Sequence, residues 1–124
     1  RELYVRVFRE MAETVAAIQP ADGLWRSNLL ESRTSIPGET SGTALFCYAL
    51  TWGMRTGVLE RDHYRPVVER AWAGLYGLVN DDGRLGWVQK PGASPHATKE
   101  RNWAVYGTGA FLLAGSELLM LGGK

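Results

Sequence analysis

Apolar side chains recur at three- to four-residue intervals through four stretches of the chain, and polar segments rich in Gly, Pro and Asp separate them. Leu3, Val7, Met11 and Val15, with Phe8, Ala12 and Ile18 beside them, predict an amphipathic helix over residues 3–18. Pro20 closes it, because the residue before a proline is pushed out of the helical region. Ala44, Leu45, Tyr48, Ala49 and Trp52 predict a second helix, from near Thr40 or Ser41 to about Arg55. Either hydroxyl can cap it, Glu39 suits the positive end of its dipole, and Gly57 is a stop signal. Val67, Val68, Ala71, Trp72, Leu75 and Leu78 predict a third helix over 62–79, which tolerates Pro66 if that residue lies in the first turn. Phe111, Leu112, Leu113, Leu118 and Leu119 predict a last helix over 105–121, ended by Gly122-Gly123. Residues 19–38 read as a long loop with a short strand near Leu24-Trp25. Leu85–Gln89 reads as another short strand after the turn Asn80-Asp81-Asp82-Gly83.

Two of these stretches echo each other. Gly42-Thr43-Ala44-Leu45-Phe46 corresponds to Gly107-Thr108-Gly109-Ala110-Phe111 at an offset of 65 residues. A glycine turn leading to tryptophan lies upstream of each: Asp22-Gly23-Leu24-Trp25 and Asp82-Gly83-Arg84-Leu85-Gly86-Trp87. Recurrence of loop, small-residue helix start and apolar helix predicts a helical array whose single unit cannot bury its own apolar face.

Composition narrows the function. With 14 basic and 13 acidic residues the net charge is +1, and no basic run occurs, so no field favours nucleic acid or an anionic membrane surface. No uninterrupted run of 18 apolar residues is present, so no membrane span is expected. Cys47 is the only cysteine, compatible with either the cytoplasm or the periplasm, and amid Phe46 and Tyr48 it reads as a small buried hydrophobe. His63 and His96 lack metal-ligand spacing, no glycine-rich phosphate loop occurs, and neither metal nor cofactor is expected. Asp81-Asp82 before Gly83 are turn formers rather than a catalytic carboxylate pair. Periodicity already under way at Leu3, with no cap before it, reads as the interior of a longer sequence.

Three segments in order carry a family resemblance: Gln19-Pro20-Ala21-Asp22-Gly23-Leu24-Trp25, Glu39-Thr40-Ser41-Gly42-Thr43-Ala44, and Gly107 to Glu117. Together they resemble the unsaturated rhamnogalacturonyl hydrolases, glycoside hydrolases of family 105, related to the unsaturated glucuronyl hydrolases of family 88. The resemblance covers almost the whole chain but only the C-terminal third of such an enzyme. It implies an all-α fold, with residues 1–124 as one partial domain of an (α/α)6 barrel. It also implies removal of an unsaturated uronic acid from the non-reducing end of a pectin oligosaccharide, by protonation of the enol-ether double bond and addition of water. The family's catalytic aspartate and its Arg-Gly-Asn-Gly-Trp segment have no counterpart here. No catalytic residue is assigned, and the chain by itself is expected to be inactive.

On that reading the candidate substrate-binding residues are Glu39, Thr40, Ser41, Trp25, Arg101 and Asn102. Ser41 or Thr40, with adjacent backbone N–H groups, would bind a sugar hydroxyl or the uronate carboxylate, unless capping is their whole role. Trp25 and Trp87 would stack on a sugar ring or pack beneath their loops. Asn102 and Trp103 stand before the last helix as Glu39-Thr40 stand before the second. Arg101 would pair with a carboxylate or stay solvated. Gly42 and Gly107 would allow close helix packing. Bare apolar faces on a partial barrel predict a homo-oligomer. Two other readings remain open: a non-catalytic helical module binding carbohydrate or protein, and a different (α/α)6 enzyme such as a family 88 hydrolase, an epimerase or a polysaccharide lyase.

Overall fold

The structure, a computed structural model, describes residues 1–123. Four helices follow in order: α1, Glu2–Ala17; α2, Thr40–Arg55; α3, Arg61–Tyr76; and α4, Val105–Gly122. A five-residue connection over 56–60 turns α2 back into α3, whereas residues 18–39 and 77–104 form the two long loops. Gln89 joins the N-terminal ends of α2 and α4: its amide donates to the Glu39 carboxylate (2.9 Å) and its carbonyl accepts from the Tyr106 hydroxyl (2.6 Å). The opposite ends are joined by Arg55 of α2, whose guanidinium holds Glu117 of α4 through two bonds of 2.6 and 3.1 Å. α2 and α4 therefore run parallel, side by side, with both N-termini at the end where the long loops gather.

The four helices are those the periodicity predicts, but their buried faces differ. Leu3, Val7 and Met11 of α1 are exposed, as are Leu45 and Trp52 of α2 and Leu112, Leu113 and Leu119 of α4. The interior instead takes small and hydroxylated residues: Thr43, Ala44, Cys47 and Thr51 from α2, and Gly107, Ala110 and Ala114 from α4. Small side chains let two parallel backbones approach closely; of the large apolar residues Leu50, Met54 and Leu121 are buried, while Leu45, Leu112, Leu113 and Leu119 point to outer flanks. α3 comes nearest to its expected face, with Val67, Val68, Ala71 and Leu75 enclosed, but Trp72 is only partly buried and the helix ends at Tyr76, before Leu78. Pro66 is the sixth residue of α3, past the first turn. Its missing N–H leaves the Asp62 carbonyl without an intrahelical donor, on the exposed side of the helix. α4 is long and apolar enough by length and composition to cross a bilayer, although Thr108, Ser116 and Glu117 interrupt its apolar run. Here it lies along α2, with Glu117 in the ion pair just described.

No strand forms among the described residues; the β pairing is one isolated antiparallel bridge between Val79 and Leu85. Both segments expected as strands spend their backbone groups on a helix end instead. The Trp25 carbonyl accepts from the Glu39 amide (2.8 Å), and the Trp87 carbonyl from the Thr40 amide (3.1 Å).

The long loops are held by specific bonds. Arg26 is buried, forms a bidentate pair with Asp22 (2.6 and 2.7 Å) and donates to the carbonyls of Ile36 (2.9 Å) and Leu24. Thr98 donates to the Gly38 carbonyl and Ser27 to that of His96, clasping one loop to the other. Gly23 is in the left-handed region (φ 79°), and a Cβ there would stand 2.2 Å from the Arg70 carbonyl oxygen of α3. Only glycine lets the first loop lie on that helix.

Candidate functional site

The joined N-termini of α2 and α4 form the floor of a shallow concavity of about 330 Å³. Glu39, Ser41, Leu45, Gln89, Lys90 and Tyr106 border it. Glu39 organises this floor. It precedes α2 with extended backbone (φ −107°, ψ 119°) and is itself the N-cap, in place of the Thr40 or Ser41 cap expected from sequence. One carboxylate oxygen accepts from the Ser41 amide (3.1 Å), the Ser41 hydroxyl (2.7 Å) and the Gln89 amide; the other accepts from the Gly42 amide (2.6 Å). A negative group here satisfies orphan amides of the first turn and meets the positive end of the helix dipole.

The candidate residues separate by position. Glu39 and Ser41 border the concavity. Thr40 does not: it is enclosed, and its hydroxyl donates to the Gly86 carbonyl (2.6 Å), fixing the second loop over α2. Trp25 is 1% exposed. Its indole N–H donates to the Val15 carbonyl (3.0 Å), its amide donates to the Thr43 hydroxyl, and its ring meets Phe46 edge-on at 5.2 Å. A ring so enclosed joins α1, α2 and the first loop and offers no face to a sugar. Asn102 is half-buried and its side chain accepts from the Lys99 amide (2.9 Å), closing a turn. Arg101 is exposed on the same loop and is not among the residues bordering the concavity.

Gln89, Lys90 and Tyr106 belong to the site yet carry no motif. Their position depends on the path of the second loop, which Trp87 bends by adopting φ 59°, an unusual conformation for a large side chain. The Trp87 amide bonds to the Lys99 carbonyl while its own carbonyl receives the Thr40 amide, so both sides of the bend are held. The paired glycines serve this arrangement rather than helix–helix contact. A Cβ on Gly42 would approach the Glu39 carboxylate to 2.9 Å, and one on Gly107 would meet Val88 at 2.6 Å. Asp82 accepts from the Arg84 amide within its turn (3.0 Å), and Arg84 lies 4.5 Å from the centre of the Trp103 ring.

A larger concavity of about 540 Å³ lies beside the α2–α3 connection, bordered by Arg9, Glu13, Glu60, His63 and Tyr64. Its polar groups serve one another: Glu13 accepts from the Tyr64 hydroxyl and pairs with His63 (both 3.1 Å), and Arg9 donates to the Val58 carbonyl. Burial, with Glu13 adding to it, pushes the Tyr64 phenol up. Among the described residues no cluster of His, Cys, Asp and Glu is arranged to hold a metal ion.

A family model described as Glycosyl Hydrolase Family 88 matches residues 1–122. An unsaturated 3S-rhamnoglycuronyl hydrolase of Formosa agariphila is 46% identical over 121 residues, covering 98% of this chain and 32% of that protein. Among solved structures, a glycosyl hydrolase family 88 protein from Bacteroides vulgatus superposes with TM-score 0.90 at 37% identity, over 98% of this chain and 36% of its own. A protein described as a polysaccharide lyase superposes with TM-score 0.86 at 41% identity, over 96% and 35%. The chain thus spans about a third of the length of the curated relatives it matches.

Proposed function

This chain belongs to glycosyl hydrolase family 88, whose members share a six-hairpin α/α barrel, and from that membership we propose that it is the C-terminal third of an unsaturated uronyl hydrolase. Its substrate is an oligosaccharide of the rhamnogalacturonan type ending in an unsaturated uronic acid. α1–α2 and α3–α4 are then two of the barrel's hairpins, with α2 and α4 lining the ring. The reaction is hydration of an enol ether: an acid delivers a proton to the double bond, water adds to the carbon bearing the ring oxygen, and the resulting hemiketal releases the aglycone. Glu39 is not that acid in this reading, because four protein donors already occupy its two oxygens. Its part is to hold Ser41 and the Gln89 backbone at the rim. There Ser41, Tyr106 and the ammonium of Lys90 meet the hydroxyls and anionic groups of the sugar.

The observation that carries this reading is the pairing of two repeat-related helix N-termini beneath one polar concavity, in a chain matched to the family over nearly all its length. The test follows the ultraviolet absorbance of the sugar's double bond. The protein extended to the length of its relatives is expected to remove that absorbance from an unsaturated rhamnose-containing disaccharide, and the 124-residue chain alone is not. Turnover by the chain alone, or none by the extended protein, contradicts the proposal. The likeness to a protein described as a polysaccharide lyase makes the sign informative. A lyase creates the double bond and would raise the absorbance of an intact polysaccharide, which this reading does not expect.

A further inference from the structure

A hydroxyl has one hydrogen to give and two lone pairs to receive with, so where its hydrogen already goes decides what a ligand meets. Ser41 and Tyr106 bring the side-chain hydroxyls that border the concavity at the starts of α2 and α4. The Ser41 hydroxyl donates to the Glu39 carboxylate (2.7 Å), and the Tyr106 hydroxyl donates to the Gln89 carbonyl (2.6 Å). Neither acceptor has a hydrogen to offer in return. Both directions are therefore fixed, and each hydroxyl turns its lone pairs to a ligand. Glu39 adds to this polarity, since its second oxygen accepts from the Gly42 amide alone. The neighbouring donors are committed elsewhere. The amides of Ser41, Gly42 and Gln89 all serve Glu39, and the Gln89 carboxamide nitrogen turns to the Ser94 carbonyl (3.3 Å). Among the described residues, Lys90 is the one cationic side chain on the border. Every one of these bonds is made between residues 39 and 106, so this segment alone sets the polarity.

We propose, resting on the uronyl hydrolase reading, that this concavity reads sugar hydroxyls as donors: free O–H groups of the oligosaccharide donate to Ser41 Oγ and Tyr106 Oη, and the anionic group of the same molecule meets Lys90. Ser41 and Tyr106 then determine specificity. An ester on either sugar oxygen removes the hydrogen and sets lone pair against lone pair. A sulfate ester also brings negative charge beside the Glu39 carboxylate. Sugars esterified at these positions are refused, both by the bonds they cannot make and by repulsion. An anion is accepted on the Lys90 side of the same concavity, so the molecule is held in one orientation.

Fluorine tests the direction, because a C–F group is polar like a hydroxyl but has no hydrogen to donate. The probes are disaccharides of a saturated uronic acid and rhamnose, which carry no double bond to hydrate. They are measured as competitive inhibitors while the protein extended to the length of its relatives turns over the unsaturated disaccharide. Single hydroxyls are replaced in turn by hydrogen or by fluorine. At the hydroxyls facing Ser41 and Tyr106, both replacements are expected to raise the inhibition constant alike, by about tenfold. Ser41→Ala and Tyr106→Phe are each expected to weaken the parent probe by a similar factor and to erase the penalty at one hydroxyl. Mere support of the loop would not produce that loss of coupling. Fluorine that restores the parent's constant wherever hydrogen weakens it overturns the proposal. So do penalties that persist unchanged in both variants, or hydrogen replacements that cost nothing at any position. The wild-type comparison decides the direction even if a variant fails to fold. These outcomes leave the functional reading in place as long as the unsaturated disaccharide is turned over, whereas no turnover contradicts that reading and the proposal together.

Discussion

Glu39 shows how much one side chain organises at this site. Glutamate is not among the favoured N-cap residues, and the hydroxyls that follow it are. Its longer side chain nevertheless reaches past the first turn to the Gln89 amide, a bond no Ser or Thr at that position could make. Glu39→Ala strands several donors and is expected to cost about 2 kcal/mol, with Glu39→Gln intermediate, as measured by urea unfolding. Cys47 offers a second check. Burial pushes its thiol up to about 12, so the folded chain is expected to resist a thiol reagent at pH 8 and to react once denatured. A raised thiol pKa contributes stability that is complete below the unfolded value and declines as pH climbs toward the folded one. Asp22 has the opposite sign. Burial alone would raise its carboxyl, but the bonds from Arg26 and the Leu24 amide outweigh that and hold it below 3.8. The stability it gives is present above that ordinary value and fades as pH falls through the lower folded one. Melting temperatures of wild type and Asp22→Asn are therefore expected to differ at pH 7 and to converge in strong acid.

Among elements, the seam between α2 and α4 is the most sensitive. Ala114 is fully enclosed there, and Ala114→Leu has no space to enter. It is expected to cost about 1–3 kcal/mol or more in chemical denaturation, whereas the same change at exposed Ser116 is expected to be nearly neutral. The helices were legible in the sequence because apolar spacing, Pro20, Gly57 and Gly122 mark them independently of tertiary context. Their inward faces were not. The pattern rule assigns large apolar residues to the core, yet in α4 the core face is Gly107, Ala110, Ala114 and Leu121, and Leu112, Leu113 and Leu119 lie on flanks. The repeat does not separate them either, because buried Ala44 and Thr51 correspond to exposed Gly109 and Ser116. The site was half legible. The first turn of α2 stood out, but Lys90 and Tyr106 join it only through the bend at Trp87, which nothing in the local sequence announces. Trp25 was misplaced because a tryptophan after a glycine turn looks the same whether it roofs a cleft or anchors a loop.

Taken whole, the described residues form two repeat units joined so that both inner helices, α2 and α4, begin at one polar end. Its central functional claim is that this end meets the sugar. Amide chemical shifts of the isotope-labelled chain, titrated with an unsaturated rhamnose-containing disaccharide, test that claim most directly. Perturbations centred on Ser41, Gln89, Lys90 and Tyr106, and abolished by Lys90→Glu, are the expected result. Perturbations confined to the Glu13–His63 concavity, or none at saturating sugar, would contradict it.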